Sequence, residues 1–390
     1  MKVLMIDSLI GNDYTLCLCS GLYRTGVDVT LVSTEDRVLN MPVDYPVLRW
    51  APCKVQTVGK IRKLGVYLRY LTRLFIHIRK SKIDAVHFQF FRRERIESFY
   101  FALLRLMGTK LIYTAHNMLP HEKSLVDYFL KWIVYKSAHS IIVHSQFIKN
   151  KLISNFNINP DKVRVVPHGN FDHYLPEHEM PSASARESLG LSDDDDVLLF
   201  FGFIRAYKGV DLLLDAFDLA SAKNPRLKLI IAGKPYSTEF DKRYKHRISQ
   251  IAAKERILYH GHFIPSEMIP TYFAAANAVV LPYKQIDHSG IVHLGYSFGK
   301  PLIGTRVGDF VETIEEGRSG FLVEKNNPQQ LAGTILLAFT DKNRLAEMGK
   351  YNRELSDTKY SWDDIGQKTI LLYQLSNSPF AKQYIFDPVR

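Results

Sequence analysis

The sequence predicts an α/β protein built from two doubly wound, Rossmann-like parallel-sheet domains. The chain has 390 residues, which is too long for one ordinary domain and suits two. Short apolar runs without strict alternation recur along it, as expected of strands that are buried on both faces of a parallel sheet. Segments of helical period separate these runs, so the pattern predicts βαβ units with right-handed crossovers.

Two series of strand candidates lie on either side of a polar stretch. In the first half they are KVLMID, DVTLVST, DAVHFQ, KLIYTAH, HSIIVHS and VRVVPHG; in the second half they are VLLFFGF, LKLIIAG, RILYHGH, AVVLPY, PLIGT and GFLV. The stretch Tyr174–Asp196, rich in proline, serine and acidic residues, is the predicted linker. The predicted domains are therefore 1–180 and 181–360, and a further helix is expected within 361–390.

The acidic run at the end of this linker, 193–196, is interpreted as a solvated loop that precedes a strand. A metal site is the alternative, but consecutive carboxylates cannot all face one ion. Elsewhere in the sequence no cluster of ligand residues has metal spacing, so no metal is expected.

Composition narrows the class of protein. Hydrophobic residues make up 46% and charged residues 23%, as in globular proteins with sizeable cores. The three cysteines, Cys17, Cys19 and Cys53, form neither a disulfide framework nor a zinc pattern, so we expect buried thiols in a reducing cytosol. Because the sequence contains neither a signal-peptide pattern nor an apolar run of ~18 residues, we expect a cytoplasmic protein that does not cross a membrane.

The positive charge is concentrated in the first half. Residues 51–150 hold 18 Lys and Arg against 5 Asp and Glu. The segment Ile61–Lys82 and a second helix candidate after FFRRER carry apolar stripes, which we expect to pack on the sheet. The stripes comprise Leu64, Leu68, Leu71, Phe75 and Ile78 in the first helix and Phe99, Leu103 and Leu106 in the second.

The basic residues beside these stripes are expected to face an anionic membrane and a lipid-linked acceptor. They are Arg62, Arg69, Arg73, Lys80, Arg92 and Arg93. The alternative is that they are simply solvated. Nucleic-acid binding is not expected, because the sequence contains no recognition module.

Two motifs should lie beyond the carboxyl ends of strands, where ligands bind in open α/β sheets. In FGFIRAYKGVDLLLDAF a strand ends at Gly202, and the following loop carries Arg205 and Lys208. Two cations in such a loop suit a diphosphate, although a pair of solvated surface cations is the alternative. The loop is not a Walker loop, and the first strand is not followed by GxGxxG, which argues against a nicotinamide or flavin enzyme.

The second motif is PYKQIDHSGIVHLGYSFGKPLIGT, Pro282–Thr305. Ser289 and Gly290 stand where a loop becomes a helix, and the free N–H groups there favour an anion. Ser289 alternatively serves only as the helix N-cap, a role that is compatible with phosphate contact. Two phosphate-binding motifs in one domain are far more specific than either motif alone.

Together with LKLIIAGK, VRVVPHGNFD, VGDFVETIEEGRSGFLV and the late helix YSWDDIGQKTILLYQ, these motifs resemble the retaining glycosyltransferases of the GT-B fold, family four (glycosyl transferases group 1). The resemblance covers nearly the whole chain. It implies two Rossmann-like domains that face a central cleft, with the acceptor on the first and a nucleoside diphosphate sugar on the second. It also implies that the last helix crosses back to the first domain.

The resemblance assigns roles to individual residues. Arg205 and Lys208 match the diphosphate-binding pair, and His116 in KLIYTAHN matches a histidine that approaches the donor sugar. For His116 a purely structural role is the alternative. The remaining donor-binding candidates are Gly11, Gly202, Gly261, His262, Phe263, Ile264, His288, Ser289 and Gly290.

The sequence departs from the family at two glutamates that usually lie eight positions apart. Ile286 and Leu294 stand there instead. Asp287 is the preferred substitute and joins His116, Arg205 and Lys208 as a candidate catalytic residue, although it could be only a turn or capping residue. In the family's front-face scheme the leaving diphosphate takes the acceptor's proton, so no metal or other cofactor is expected.

The expected function is a retaining glycosyltransferase, peripheral at the inner face of the membrane. It would move a hexose-type sugar from a nucleoside diphosphate to a glycan or lipid-linked acceptor in polysaccharide or glycoconjugate biosynthesis. The alternatives are a nucleotide-sugar epimerase, a small-acceptor transferase of the same fold, and a non-catalytic nucleotide-binding partner subunit. The sequence leaves open the donor base, the sugar, the linkage and the oligomeric state.

Overall fold

A computed structural model describes residues 1–9, 13–39, 41–52, 60–118, 124–178 and 180–375. Gly11 and Cys53 lie outside these ranges. The chain divides into two compact units. Unit 1 comprises Met1–Gly169 together with the segment that starts at Ser361, and unit 2 comprises Asn170–Tyr360. No helix in the described ranges combines the length and the apolar character that a membrane span requires.

Unit 1 is built on a seven-stranded parallel sheet in the order β3-β2-β1-β4-β5-β6-β7. Its strands are β1 (Lys2–Asp7), β2 (Asp28–Thr34), β3 (Val47–Ala51), β4 (Ala85–Phe90), β5 (Leu111–Thr114), β6 (Ser140–Val143) and β7 (Val163–Val165). Its first helices are α1 (Asp13–Arg24), α2 (Lys60–Lys80), α3 (Glu94–Leu106), α4 (Leu125–Ser137) and α5 (Gln146–Phe156). All six strand candidates of the first half are confirmed, and the edge strand β3 is added to them.

Burial on both faces explains why these strands do not alternate in polarity. In β1, Leu4 and Ile6 belong to one apolar cluster, and Val3 and Met5 belong to another. All four side chains are fully buried, because helices cover the sheet on each side. The thiols of Cys17 and Cys19 on α1 are buried in the second cluster, as the sequence predicted.

Unit 2 contains a six-stranded parallel sheet in the order β10-β9-β8-β11-β12-β13. Its strands are β8 (Asp196–Phe201), β9 (Leu227–Ala232), β10 (Ile257–His260), β11 (Ala278–Leu281), β12 (Leu302–Thr305) and β13 (Gly320–Val323). Its helices are α6 (Ser182–Ser188), α7 (Val210–Ser221), α8 (Thr238–Ser249), α9 (Ile269–Ala275), α10 (Gly290–Ser297), α11 (Phe310–Thr313), α12 (Pro328–Thr340) and α13 (Lys342–Asp357). Each strand candidate of the second half is confirmed.

The stretch interpreted as a linker is part of unit 2 and contains helix α6. Arg186 on this helix is buried and donates to the carbonyl oxygen of Ala275, which holds α6 on the unit. The acidic run is only partly a solvated loop. Asp196 is the first residue of β8, is fully buried, and forms an ion pair with Lys342 at 2.9 Å. A buried carboxylate needs such a partner, which the local sequence pattern does not show.

The predicted packing of the stripe on α2 is wrong for Leu64 and Leu68, which are exposed. Leu71 and Ile78 are buried, and Phe75 is partly buried against the same apolar cluster, so the predicted packing is confirmed for these three residues. The rest of the buried face consists of Tyr67, Tyr70 and Leu74. Tyr67 and Tyr70 thus pack in the core where the pattern predicted that Leu64 and Leu68 would pack. On α3 the stripe of Phe99, Leu103 and Leu106 is likewise exposed rather than packed.

The last described helix, α14 (Trp362–Leu375), packs on α1 within unit 1. Asp363 at its first turn accepts a hydrogen bond from Arg24 at 2.7 Å. Near its end the hydroxyl of Tyr373 lies 2.6 Å from Nδ1 of His87 on β4. Burial lowers the pKa of His87 to about 3, so this hydrogen bond joins two neutral groups inside the core.

We predict that Gly21→Ala on α1 lowers the stability of unit 1 by about 1–3 kcal/mol, as overpacking does. A Cβ at position 21 would lie 2.1 Å from the carbonyl oxygen of Trp362, so α14 would have to move. The measurement is thermal unfolding followed by tryptophan fluorescence. All three tryptophans (Trp50, Trp132 and Trp362) belong to unit 1, so this signal reports on that unit.

The matched control is Gly65→Ala on α2, where no atom lies within 4 Å of the added Cβ. Alanine favours a helix over glycine, so this variant should be neutral or slightly more stable. An unfolding temperature of Gly21→Ala equal to that of Gly65→Ala would contradict the packing of α14 on α1.

Candidate functional site

The strand order of unit 2 places a crevice between β8 and β11. From β8 the chain continues to β9 on one side, and it later returns to β11 on the other side. Loops at the carboxyl ends of these two strands therefore diverge, which is where open α/β sheets bind ligands. Both predicted phosphate motifs, 202–209 and 282–290, follow these two strands.

The loop after β8 is held against the loop after β11 by a close backbone approach. A short 3-10 turn, Ala206–Lys208, ends at Gly209, which has φ +69°. A Cβ at Gly209 would lie 2.0 Å from the carbonyl oxygen of Pro282, so only glycine fits there. The Lys284 N–H also donates to the carbonyl oxygen of Tyr207 at 2.7 Å. The two motifs are thus fixed to each other by main-chain contacts.

Lys208 is buried in this crevice without a counter-charge. Its residue exposure is 8%, and its ammonium forms neither a hydrogen bond nor an ion pair with any residue of the described ranges. Its Nζ lies 5.3 Å from the centre of the Tyr283 ring. Burial, together with the neighbouring Arg205, lowers the pKa of Lys208 to about 8, although Tyr207 opposes this effect. A buried ammonium of this kind is stabilised by an anion.

Arg205 adds the second cation of the predicted pair. Its guanidinium stacks over the ring of Tyr236, with 5.1 Å from Cζ to the ring centre, and it lacks a carboxylate partner within the described part of the chain. Tyr236 is itself 61% exposed. The guanidinium is therefore oriented by an aromatic ring while its N–H donors remain available to a ligand.

Ser289 is the N-cap residue of α10, but its hydroxyl does not cap the helix. It is buried beside the hydroxyl of Tyr283, and α10 begins next to the end of β8. A Cβ at Gly202 would lie 3.2 Å from the Ile291 side chain and 3.4 Å from Nζ of Lys208. The structure therefore brings Gly202, Lys208 and the start of α10 together. The first N–H groups of α10 and the Lys208 ammonium can act on one anion.

A buried carboxylate pairs with the predicted residue His288. Nδ1 of His288 lies 2.8 Å from an oxygen of Asp309, whose side chain is 4% exposed. The loop that carries Asp309 lies on the second motif, because a Cβ at Gly308 would lie 2.0 Å from the carbonyl oxygen of Ile286. Sequence reasoning missed Asp309, since the contact joins loops after different strands. Asp287 is partly exposed on the same loop as His288.

The two positions where the family usually has glutamate are part of the apolar interior. Leu294 on α10 is 4% exposed and belongs to the core of unit 2, and Ile286 packs against that core. Neither position offers a polar group to a ligand. The departure seen in the sequence is therefore accommodated by packing.

The predicted base-contacting segment, Gly261–Ile264, follows β10 at the same edge of the sheet. Phe263 is 63% exposed and His262 is exposed, whereas Ile264 is buried. Asp241 and Tyr259 lie so close to Gly261 that a side chain there would collide with them. The segment presents backbone and an aromatic ring at the edge of the sheet.

His116 belongs to unit 1, directly after β5. Its ring stacks on Phe90 with centres 4.3 Å apart, and its Nε2 lies 2.9 Å from the Gln89 side-chain oxygen. Its Nδ1 lies 3.3 Å from Nε2 of His144. Nδ1 of His144 in turn lies 3.0 Å from the carbonyl oxygen of Val166, to which it donates. Several contacts thus fix the orientation of the His116 ring.

The described ranges thus place Gly202, Arg205, Lys208, Ser289 and Gly290 around one crevice. His288 joins them through the loop that it shares with Ser289. Three residues that pattern reasoning did not identify also line or support this site. They are Tyr236 under Arg205, Tyr283 under Lys208, and Asp309 beside His288. The arrangement can hold an anion with two phosphate groups.

Two protein-family profiles match the chain. The family described as Glycosyl transferases group 1 matches residues 182–355, and the one described as Glycosyltransferase Family 4 matches residues 12–170. A D-inositol 3-phosphate glycosyltransferase of Corynebacterium glutamicum (strain R) is 22% identical over 383 residues, which cover 93% of this chain and 90% of that protein.

Solved structures share the fold. Sucrose-phosphate synthase from Thermosynechococcus elongatus superposes with a TM-score of 0.75 at 18% identity, covering 96% of this chain and 98% of that one. HepE of Anabaena, in complex with UDP and glucose, also gives a TM-score of 0.75 at 18% identity, covering 96% and 99%. Both parallel sheets fit the GT-B fold.

We predict that Lys208→Met weakens the binding of nucleoside diphosphate at least about tenfold, because a charged hydrogen bond contributes ~1.5–3 kcal/mol. Isothermal titration with UDP, GDP and ADP measures this effect. Since the pKa of Lys208 is about 8, the wild-type affinity should fall as the pH rises past that value and the ammonium loses its proton. In Lys208→Arg the affinity should depend less on pH over this range, because a guanidinium keeps its proton.

Lys242→Met, which removes an exposed lysine of α8 in the same unit, is the control and should bind like wild type. If Lys208→Met retained wild-type affinity for every diphosphate that wild type binds, the buried ammonium would have no part in anion binding.

Proposed function

This chain belongs to glycosyltransferase family 4, the group 1 glycosyl transferases, and on that premise we propose that it is a retaining enzyme that uses a nucleoside diphosphate hexose. Its acceptor is proposed to be a glycan or a lipid-linked saccharide of polysaccharide or glycoconjugate biosynthesis. A transferase of this family needs a donor site, and the crevice of unit 2 has the charges for one.

The observation that carries the proposal is the unpaired ammonium of Lys208 next to the start of α10. The donor diphosphate would supply the anion that this buried charge lacks, with Arg205 binding the outer phosphate oxygens. The N–H groups at Gly290 and the hydroxyl of Ser289 would complete the cradle. A site that stabilises the negative charge developing on the leaving group in the transition state lowers the activation barrier.

In the proposed reaction the acceptor hydroxyl attacks the anomeric carbon from the face that the diphosphate leaves. The C–O bond to the phosphate breaks, the new glycosidic C–O bond forms on the same face, and the departing phosphate oxygen takes the acceptor's proton. Lys208, Arg205 and the α10 amides stabilise the negative charge on that oxygen. His116, fixed by Phe90, Gln89 and His144, is proposed to contact the donor sugar.

The sugar is proposed to be recognised by groups other than the usual glutamates. Asp287 is partly exposed, and the His288–Asp309 pair lies on the adjoining loops. Carboxylate and imidazole groups both bind sugar hydroxyls. With Ile286 and Leu294 packed in the interior, hydroxyl recognition would depend on these three residues, and the choice of donor sugar should differ from that of relatives with both glutamates.

The function is tested by incubating the protein with a panel of UDP-, GDP- and ADP-hexoses, with and without membrane extract. We expect nucleoside diphosphate release from at least one donor, faster with extract, and a product that keeps the donor's anomeric configuration by NMR. Asp287→Asn should change the ratio of rates among donor sugars while diphosphate binding stays unchanged. An inverted product would refute retention. Nucleotide binding without release from any donor would instead identify a non-catalytic subunit.

The membrane part of the proposal is supported by exposed apolar faces on two adjacent helices of unit 1. Helix α3 packs against α4, and both present large apolar side chains to solvent. The exposed side chains are Phe99, Leu103 and Leu106 on α3, and Leu125, Phe129 and Trp132 on α4. The rings of Phe129 and Trp132 are stacked with centres 6.1 Å apart. Exposed patches of this kind mark interaction sites, and tryptophan favours the membrane interface.

Basic residues of the same unit would add attraction to anionic lipid. On α2, Arg62, Arg69 and Lys80 are exposed, as the sequence interpretation requires. Others have protein partners. Arg73 lies over the ring of Trp50 with 4.0 Å from Cζ to the ring centre, and Arg92 donates to the carbonyl oxygen of Pro52 at 2.6 Å. The proposed membrane contact therefore combines apolar insertion by α3 and α4 with charge on α2.

We predict that the protein sediments with vesicles of phosphatidylglycerol and phosphatidylcholine, and that binding weakens in high salt. The double variant Phe129→Ser/Trp132→Ser should bind about tenfold more weakly, because it removes two side chains that would enter the interface. Leu337→Ser, at a residue of unit 2 with 56% exposure, is the control and should bind normally. Absence of sedimentation at low salt would refute the membrane contact.

A further inference from the structure

Unit 1 contains a small pocket, lined by both polar and aromatic side chains, at the carboxyl edge of its sheet. It lies beyond β4 and β5, has a volume of about 150 Å³, and is lined by Phe90, Phe91, Glu94, Tyr113, His116 and Lys131 among others. This volume is several times that of a single water but below the ~300–1,000 Å³ of pockets for drug-sized ligands. The pocket thus has room for one small ring.

An ion pair between a buried lysine and a partly exposed glutamate forms one wall of this pocket. Nζ of Lys131 on α4 lies 2.8 Å from a Glu94 carboxylate oxygen and 2.9 Å from the hydroxyl of Tyr113. Lys131 is only 9% exposed. Burial alone would lower its pKa, but Tyr113, Tyr135 and Glu94 outweigh that effect and raise it, so the ammonium stays charged. With three N–H donors and two partners in the described ranges, Lys131 has one donor left for a ligand.

The chemistry of the lining favours a neutral polyhydroxylated ring. The positive charge of Lys131 is balanced by Glu94, so this wall has no net positive charge that would favour a phosphate. It offers a hydrogen-bond donor and an acceptor side by side. Adjacent hydroxyls of a sugar need that combination, since each hydroxyl both donates and accepts. The aromatic side chains of Phe90 and Phe91 supply apolar surface for the C–H face of a ring.

We propose that this pocket binds one pyranose or cyclic polyol unit of the acceptor, with Lys131 and Glu94 bound to neighbouring hydroxyls. The inference rests on the proposed transferase function, because it gives the pocket's ligand the role of acceptor. His116 lines the same pocket, so the ring would lie beside the residue proposed to contact the donor sugar.

The pocket also shares a helix with the proposed membrane contact. Lys131 faces inward from α4, whereas Phe129 and Trp132 of the same helix face solvent. A saccharide linked to a lipid could thus place its ring at Lys131 while its chain remains in the bilayer.

The test is saturation-transfer NMR of the full chain, without donor, against methyl α-D-glucopyranoside, methyl α-D-mannopyranoside, methyl α-D-galactopyranoside and myo-inositol. We expect at least one ring to bind, and Lys131→Met and Tyr113→Phe to weaken that binding about tenfold or more and about threefold, respectively. Lys136→Met changes an exposed lysine of the same helix and should bind like wild type. UDP, GDP and ADP titrations and thermal melts of each variant establish that the fold and the donor site are intact.

Two outcomes would overturn the proposal. One is that none of the four rings binds, or that a ring binds equally to wild type and to a folded Lys131→Met protein. The other is that inorganic phosphate displaces the bound ring, which would make the pocket an anion site. Either result leaves diphosphate binding by Lys208 and donor turnover untouched. Conversely, if the protein bound a ring but released no nucleoside diphosphate from any donor, the transferase proposal would be refuted. The proposal that the pocket binds a ring would remain supported.

Discussion

The crevice of unit 2 is built around one buried positive charge that has no counter-charge among the described residues. Removing an ammonium from water is costly, and proteins usually offset that cost with a carboxylate. At Lys208 the described structure provides only the face of Tyr283, and the pKa falls to about 8 as a result. The protein itself therefore stabilises this ammonium poorly. An anionic ligand would stabilise it, which is why the proposed diphosphate site is placed here.

Main-chain packing keeps Lys208 in that state. If the loop after β8 could swing outward, the ammonium would reach water and its pKa would return to normal. Gly209 prevents this by lying directly against the Pro282 carbonyl. Lys284, whose N–H bonds to Tyr207, also forms an ion pair with Asp211 of α7 at 2.6 Å. The contacts join the two loops on either side of the topological switch point, so the fold itself keeps the ammonium buried.

Local sequence patterns predicted most of this architecture, because parallel strands and loop glycines leave local signals. The twelve strand candidates, the cations of the β8 loop and the start of α10 were all visible in this way. Contacts between loops that are distant in sequence were not. Asp309 lies 21 residues beyond His288, and Lys342 lies far from Asp196, so neither pair could be identified from spacing.

Amphipathic patterns also failed where both sides of a helix carry large side chains. On α2 the tyrosines Tyr67 and Tyr70 face the sheet, while Leu64 and Leu68 face solvent. The helical periodicity of large side chains does not show which of the two faces packs on the sheet. The edge strand β3 was missed for a related reason. Its sequence VLRWA includes an exposed arginine, as a strand at a sheet edge allows, and lacks the continuous apolar run of its neighbours.

Apolar residues at the two positions where the family usually has glutamate fit the core of unit 2, against which α10 packs. Leu294 lies within the core, so a glutamate there, with this helix orientation, would bury a carboxylate among apolar side chains. Ile286 is fixed by the contact of its carbonyl group with Gly308. A carboxylate nevertheless lies close to this loop, because that contact brings Asp309 to His288. The second motif therefore combines a helix start beside Lys208 with a nearby acidic group that comes from another loop.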